Sequence, residues 1–263
     1  MPSSSSSIEW YARLAGDSGP VFARRDGDGF RILSGAPWDG ARETGVIVEA
    51  RAARLLVPAR PSKIVCVGRN YAAHAAEMAA GVPEEPILFL KPPSSLVAPG
   101  DPIVIPRGVG RVDHEVEMAL VVGRRLHRAS LDEARQGIFG VTCVNDVSAR
   151  VLQKKDGQWT RAKGFDTFCP LGPGIAHGLD PDDLGLAASV NGAERQRGHT
   201  RDLLVKSAAL VAFVSRVMTL EPGDVISTGT PEGVGPLEPG DVVSLELEGV
   251  GTLENPVRAE PEA

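Results

Sequence analysis

VDHEVEMALVVG, residues 112–123, decides the fold. Its second half, Ala119 to Val122, is an unbroken apolar run of the kind that forms a buried β-strand. Its first half sets Asp113, Glu115 and Glu117 at every second position. Side chains alternate across a strand, so this spacing predicts three carboxylates on one face beside a core. Like charges in such a row repel. The pattern has two readings: an edge strand whose acidic face is in water, or a site for a hard divalent cation. The neighbouring sequence favours the second. VTCVND, 141–146, is another buried run, and it delivers Asp146 at its end. Mg²⁺ takes carboxylate oxygens by preference and keeps some of its waters.

Bases stand where such a site would need them. Lys91 ends the apolar run ILFLK, Arg150 follows Asp146 by four positions, and Lys163 lies in RAKGFDTF. Each alone reads as a surface or salt-bridged base. A lysine that ends a buried run is costly unless paired. His74 and Glu77 are spaced i, i+3, which makes them neighbours on a helix. The pair is either an exposed helix couple or an imidazole whose basicity a carboxylate raises. His114, His127, His177 and His199 read as structural or exposed. The glycine-rich STGTPEGVGP, 227–236, lacks the GK[ST] ending of a phosphate loop, which argues against a nucleotide. Its Thr228 and Thr230 are candidates to hydrogen-bond a substrate carboxylate.

Outward from this centre the chain is rich in turns, with 30 glycines and 21 prolines in 263 residues. The string PGD recurs at 99–101, 222–224 and 239–241, and an apolar or alternating run follows each copy. Pro-Gly is the type II turn pair, so these are turn-then-strand units, and β-structure carries the fold. IVCVG (64–68) and ILFLK (87–91) read as strands. Residues 69–81 read as a helix with Asn70 as N-cap and Gly81 at its end, and residues 202–220 as one amphipathic helix. The Pro-rich joint VPARPSK, 57–63, predicts a small N-terminal β-domain over 1–57 and a main domain over 58–263. MPSSSSS has no signal-peptide pattern and is expected to be a disordered tail over 1–7. The net charge of -6 argues against nucleic acid, and no apolar run approaches the roughly 18–20 residues of a membrane span. Cys66, Cys143 and Cys169 form no CxxC and read as buried free thiols of a cytoplasmic protein.

The strings GRNYAAHAAEM, ILFLKPPSSL, VDHEVEMALVVG, VNDVSAR, QWTRAKGFDTFCPLGP and STGTPEGVGP together resemble the fumarylacetoacetate hydrolase family, from about residue 64 to 236 and in the family's order. The resemblance implies a mainly β fold with some helices (α+β): a mixed β-sandwich roll, usually a homodimer, with the site at its mouth. It implies Glu115, Glu117 and Asp146 as ligands of Mg²⁺ or Mn²⁺. It implies His74 and Glu77 as the dyad that activates water, and Lys163 as the stabiliser of enolate charge. Lys91, Arg150, Gln153 and Thr230 would hold the substrate's carboxylate end. Two positions depart from the pattern. Val151 stands where many members have Asp, and Gly174 stands where relatives often carry a bulky aromatic. The expected reaction is hydrolysis of a C–C bond in an acylpyruvate, a 2,4-dioxo acid, through a metal-bound enolate. Isomerisation of 2-hydroxyhepta-2,4-diene-1,7-dioate and decarboxylation of an oxaloacetate-type acid are the alternatives. A non-catalytic metal-binding homologue is a remote third, since no dyad or ligand position is missing.

Overall fold

The computed structural model describes residues 8–78 and 81–262. The tail expected over 1–7 lies outside them. Among the described residues twelve strands form one large mixed sheet. Its path runs Glu43–Glu49, Gly29–Leu33, Val21–Asp26, Glu9–Leu14, Cys169–His177, Ile138–Asn145, Val116–Val122, Val225–Ser227, Ile64–Gly68, Ile87–Lys91. A five-stranded sheet, Ala193–His199, Gly185–Val190, Val242–Leu247, Gly251–Ala259 and Ile103–Ile105, packs against it. A small third sheet joins Ser148–Ala149, Val112–His114 and Gly235–Pro236.

The strand Val116–Val122 is buried along its whole length because both of its faces are covered. Met118, Leu120 and Val122 enter the main core with Leu186, Val243 and Leu245 of the five-stranded sheet and with Leu210 and Val214. Ala119 and Val121 enter a second core with Ile64, Val144 and Leu171. That two-sided burial is why the run lacks polar alternation. The three PGD units form their turns. Gly100, Gly223 and Gly240 have φ of 81°, 85° and 103°. Asp101, Asp224 and Asp241 donate their N–H groups to the carbonyls of Ala98, Glu221 and Glu238. A strand begins within two residues of each. The N-terminal strands have a small core of their own (Ala12, Leu14, Ala23, Phe30, Ile32), yet Glu9–Leu14 hydrogen-bonds along Cys169–His177 and so extends the large sheet. The described residues contain no helix long and apolar enough to cross a membrane.

Among the described residues five short α-helices serve the sheets: α1 Ala72–Glu77, α2 Leu131–Gly137, α3 Arg150–Asp156, α4 Thr160–Lys163 and α5 Ser207–Val217. Two differ from the sequence expectation. The periodic run 202–220 is helical only over α5. Leu203 pairs with Tyr71 in a β-bridge, and the Asp182 carboxylate accepts from both N–H and Oγ of Ser207, which starts the helix there. The helix expected over 69–81 is the six-residue α1. Asn70 does not cap it, because its amide bonds the Val205 N–H and the carbonyls of Val205 and Thr228. Met78 closes the helix, so Gly81 is not its terminator.

Gly174 does not leave a widened pocket. Trp10 fills the space: a Cβ at Gly174 would sit 2.3 Å from Trp10 Cζ2, while the indole N–H donates to the Val250 carbonyl at 2.9 Å. An aromatic from the N-terminal strand thus takes the space over Gly174. Gly174→Ala is therefore expected to destabilise the protein by about 1–3 kcal/mol in urea unfolding. The same substitution in a Trp10→Ala background costs less, because the clash is gone. Equal costs in the two backgrounds would show that the indole contact is not the reason for the glycine.

Candidate active site

The antiparallel pair Val116–Val122 and Ile138–Asn145 runs to Val116 opposite Asn145 and then opens. Glu115 and Asp146 are the first residues beyond the pair. The opening is itself fastened: Asp146 N–H donates to the Glu115 carbonyl at 2.9 Å, and Glu115 N–H to Asn145 Oδ1 at 3.0 Å. Glu117 lies one residue inside. Oxygens of Glu115, Glu117 and Asp146 lie within 4.8 Å of one another, and all three residues are buried. Asp113 is not part of this group. The chain changes sheets at Glu115, and the Asp113 carboxylate is taken by Arg111 Nε at 2.6 Å and Arg150 Nε at 2.8 Å. The row of three repelling acids is thereby split.

Lys163, from the end of α4 and 2% exposed, donates to Glu115 Oε2 at 2.8 Å and Asp146 Oδ2 at 2.6 Å. Burial opposes its charge, but Asp146 and Glu115 outweigh that and hold its pKa above the usual lysine range. Lys91, 1% exposed, donates to Asp146 Oδ1 at 2.7 Å and the Val147 carbonyl at 3.1 Å. Burial would raise the pKa of Glu115, yet the charges of Lys163 and Arg150 prevail and hold it well below the carboxylate range. Glu117 differs. It accepts from Ser227 Oγ and from the Gly229 N–H, and among the described residues no basic side chain pairs with it. Burial, then the charges of Asp146 and Glu115, push its pKa up to about 8. Glu117 is therefore the one acid of the three without a basic partner among the described residues. Three convergent carboxylate oxygens, one of them on an unpaired acid, fit a hard divalent cation such as Mg²⁺ or Mn²⁺.

These carboxylates line a cavity of about 290 Å³ together with His74, Phe89, Arg150, Gln153, Trp159, Lys163 and Thr230. His74 Nδ1 is 3.0 Å from Glu77 Oε2, and the other Glu77 oxygen accepts from the Gly233 N–H at 3.0 Å. Arg150 donates from Nη1 to Gln153 Oε1 at 3.0 Å. Its Nη2 lies 2.7 Å from Glu115 Oε1, out of line for a hydrogen bond. Lys91 does not line the cavity; it underpins Asp146 from behind. The threonines are also engaged elsewhere. Thr230 Oγ1 donates to the Val116 carbonyl and Thr228 Oγ1 to the Met118 carbonyl, both at 2.8 Å. Val151 faces outward, 52% exposed, and its methyls leave no room for a Cβ on Gly110. Of the four remaining histidines, His114 is fully buried, with Nδ1 2.9 Å from Gln196 Oε1. Gln196 was not marked by the sequence. It sits in AERQRGH, where only its burial distinguishes it.

The profile described as fumarylacetoacetate (FAA) hydrolase C-terminal matches residues 63–258. The chain belongs to the fumarylacetoacetate hydrolase family. A second profile, Rv2993c-like N-terminal, matches residues 11–58. Protein Rv2993c of Mycobacterium tuberculosis is 45% identical over 255 residues, which is 93% of this chain and 96% of the relative. Oxaloacetate tautomerase YcgM of Escherichia coli is 45% identical over 195 residues, covering 72% of this chain and 89% of its own. The crystal structure of 2-hydroxyhepta-2,4-diene-1,7-dioate isomerase from Mycobacterium marinum superposes with a TM-score of 0.90 at 43% identity, covering 97% of this chain and all of that one. The fumarylacetoacetate hydrolase family includes enzymes named as isomerases, tautomerases and hydrolases.

Glu117 gives this family site a testable pH dependence. In an unfolded chain a glutamate titrates near about 4.3. Between that value and about 8 the folded protein keeps a proton that the unfolded chain has released, so raising the pH across this window destabilises the metal-free fold. Glu117→Gln keeps an oxygen for Ser227 and Gly229 and removes the titration. In EDTA the variant is expected to melt above the wild type, with a wider gap at about pH 8 than at about pH 5. Mg²⁺ or Mn²⁺ should raise the melting temperature of the wild type only. A gap independent of pH would show that Glu117 ionises in the ordinary range.

Proposed function

We propose that this enzyme moves a proton at the carbon next to the keto group of a small 2-oxo dicarboxylic acid, interconverting its enol and keto forms. One observation carries the reading. Among the described residues that line the cavity, His74 is the one imidazole, oriented by Glu77, and it can both take and return a proton once the three carboxylates hold a cation. Lys163 is fixed as an ammonium by Asp146 and Glu115, and the arginines stay charged. A single shuttle is what a tautomerisation requires. The tautomerase and isomerase names of relatives at 43–45% identity support the same class.

Glu115, Glu117 and Asp146 would hold a divalent cation, which would supply Lewis-acid chemistry to such an acid. The chain's own groups do the remainder. Arg150, which lines the cavity, brings a fixed positive charge to a substrate carboxylate. Gln153 holds one arm of its guanidinium in place. The Lys163 ammonium supplies positive charge where the keto oxygen gains negative charge. Glu77, fixed by Gly233, orients the imidazole through Nδ1 and leaves Nε2 for the proton.

C–C hydrolysis of an acylpyruvate is the second reading, favoured by the same dyad, since an imidazole oriented by a carboxylate also activates water. A parallel panel with Mg²⁺ or Mn²⁺ separates them: ketonisation of enol-oxaloacetate above the buffer rate, isomerisation of 2-hydroxyhepta-2,4-diene-1,7-dioate, cleavage of acetylpyruvate, and decarboxylation of oxaloacetate. Proton movement is expected to dominate, with deuterium entering carbon 3 of oxaloacetate in heavy water. His74→Asn should slow it by about 10²–10⁴-fold. Faster cleavage of acetylpyruvate than proton movement on either dicarboxylate would transfer the assignment to hydrolysis.

A further inference from the structure

The strand Ala193–His199 is exposed or half-exposed except at one residue, Gln196, which is 1% exposed. A carboxamide has two acceptor sites and two donors, and all four are used here. Oε1 accepts from the Val116 N–H at 3.0 Å and meets His114 Nδ1 at 2.9 Å. Nε2 donates to Thr230 Oγ1 and to the Pro231 carbonyl, both at 2.8 Å. The oxygen therefore grips the backbone between Glu115 and Glu117. The nitrogen grips the loop that follows the strand Val225–Ser227.

That loop holds both halves of the site. Its Gly229 N–H donates to Glu117 Oε2 at 2.7 Å, and its Gly233 N–H to Glu77 Oε1 at 3.0 Å. The loop lies directly on the Gln196 strand. A Cβ at Gly198 would meet Pro231 Cβ at 2.7 Å, and one at Gly233, where φ is +94°, would meet the Arg195 carbonyl oxygen at 2.3 Å. Backbone contact on both sides of Gln196 leaves its amide as the side chain that sets their relative position.

We infer that Gln196 is the positioning residue that fixes the carboxylate cluster relative to the His74–Glu77 pair. It touches neither substrate nor cation. The kinetic part of the inference rests on the function proposed above; the structural part does not. Loss of this clamp lets the Gly229–Gly233 loop shift, and Glu77 moves with Gly233. A misplacement of about 1 Å at a reacting group can cost about 10²-fold in rate.

Gln196→Glu keeps the acceptor for Val116 and removes the two donors to the loop. Gln196→Met, similar in length, removes all four bonds. In the metal-free protein, amide exchange at Gly229 and Gly233 is expected to speed up by about tenfold in the Glu variant, as for loss of one hydrogen bond, while Leu120 and Val121 keep their protection. With Mn²⁺, kcat for the proton transfer should fall by about 10²-fold with KM little changed. In the Met variant Mn²⁺ affinity, measured by calorimetry, should weaken as well. Unchanged protection at Gly229 and Gly233 in a folded Glu variant overturns the inference. So does a lowered melting temperature with kcat intact, which would make Gln196 merely structural. If either variant fails to fold, the other carries the test. A wild type with no turnover on any 2-oxo acid would sink the proposed function, and the exchange measurement would still decide the clamp.

Discussion

Six buried charges within one cluster govern the rest of this structure. Glu115, Glu117 and Asp146 are out of water, and Lys91, Lys163 and Arg150 meet two of them. Isolated, any of these ions would cost several kcal/mol to bury, so each is tolerable only while its partners hold their places. The partners come from far apart. Lys91 ends an outer strand of the large sheet, Arg150 opens α3, and Lys163 closes α4. The acids sit where two central strands part. The electrostatics thus fasten the sheet to its helices, and the geometry that resolves the repulsion also builds the site. Glu117 is the acid with no base beside it among the described residues, and so the one whose oxygens are most open to a cation.

The loop 227–236 carries the second constraint. Within a few residues it satisfies Glu117 through Ser227 and Gly229, and steadies Glu77 through Gly233. Two of its glycines need their freedom. Gly229 and Gly233 have φ of 102° and 94°, and both lie against backbone or a Cβ at under 3 Å from where a side chain would begin. A glycine-rich string often signals a phosphate cradle. Here its amides point at the enzyme's own carboxylates. Side-chain oxygens of the protein occupy the place that a ligand anion takes in a phosphate loop.

Much of this was legible in the sequence, and the reasons differ by element. The PGD turns are local chemistry, so proline and glycine announced them without reference to the fold. The buried strand at 116–122 was legible because a run covered on both faces has no polar alternation. The convergence of Glu115, Glu117 and Asp146 was suggested by acids that end apolar runs. The hidden part was partner choice. Asp113 shares the alternation of Glu115 and Glu117, and nothing local says that Arg111 and Arg150 claim it. Lys91 reads like a substrate base, yet it supports Asp146 from outside the cavity. Thr230 offers a hydroxyl by composition, but the Val116 carbonyl, 114 residues away in the sequence and 2.8 Å away in the fold, decides where that hydrogen goes. Asn70 resembles a helix cap until the distant Val205 takes its amide. Gln196 gave no signal at all, because its burial belongs to the loop packed on it and its own strand reads as polar throughout. Patterns report which face is covered; they do not report what covers it.

The reaction class turns on the number of proton carriers more than on the fold, which hosts several chemistries. A 2-oxo acid enol already holds the proton that it must relocate, so one imidazole takes it from oxygen or carbon 3 and returns it to the other, with carbon 2 between them. Hydrolysis asks more of the same imidazole. Water must stand between it and the acyl carbonyl, lose a proton to it, and the departing carbon must then collect that proton. Both routes use the triad, Lys163 and Arg150 in the same way. They part at the space beside His74, where the substrate's own substituent on carbon 3 either leaves room for a water or fills it. A held water needs two to four polar partners. The cavity of about 290 Å³ offers both apolar walls, from Met78, Phe89 and Trp159, and polar ones, from Arg150, Gln153 and Thr230, so in the proposed reading the bulk of the substrate's own substituent decides between the two routes.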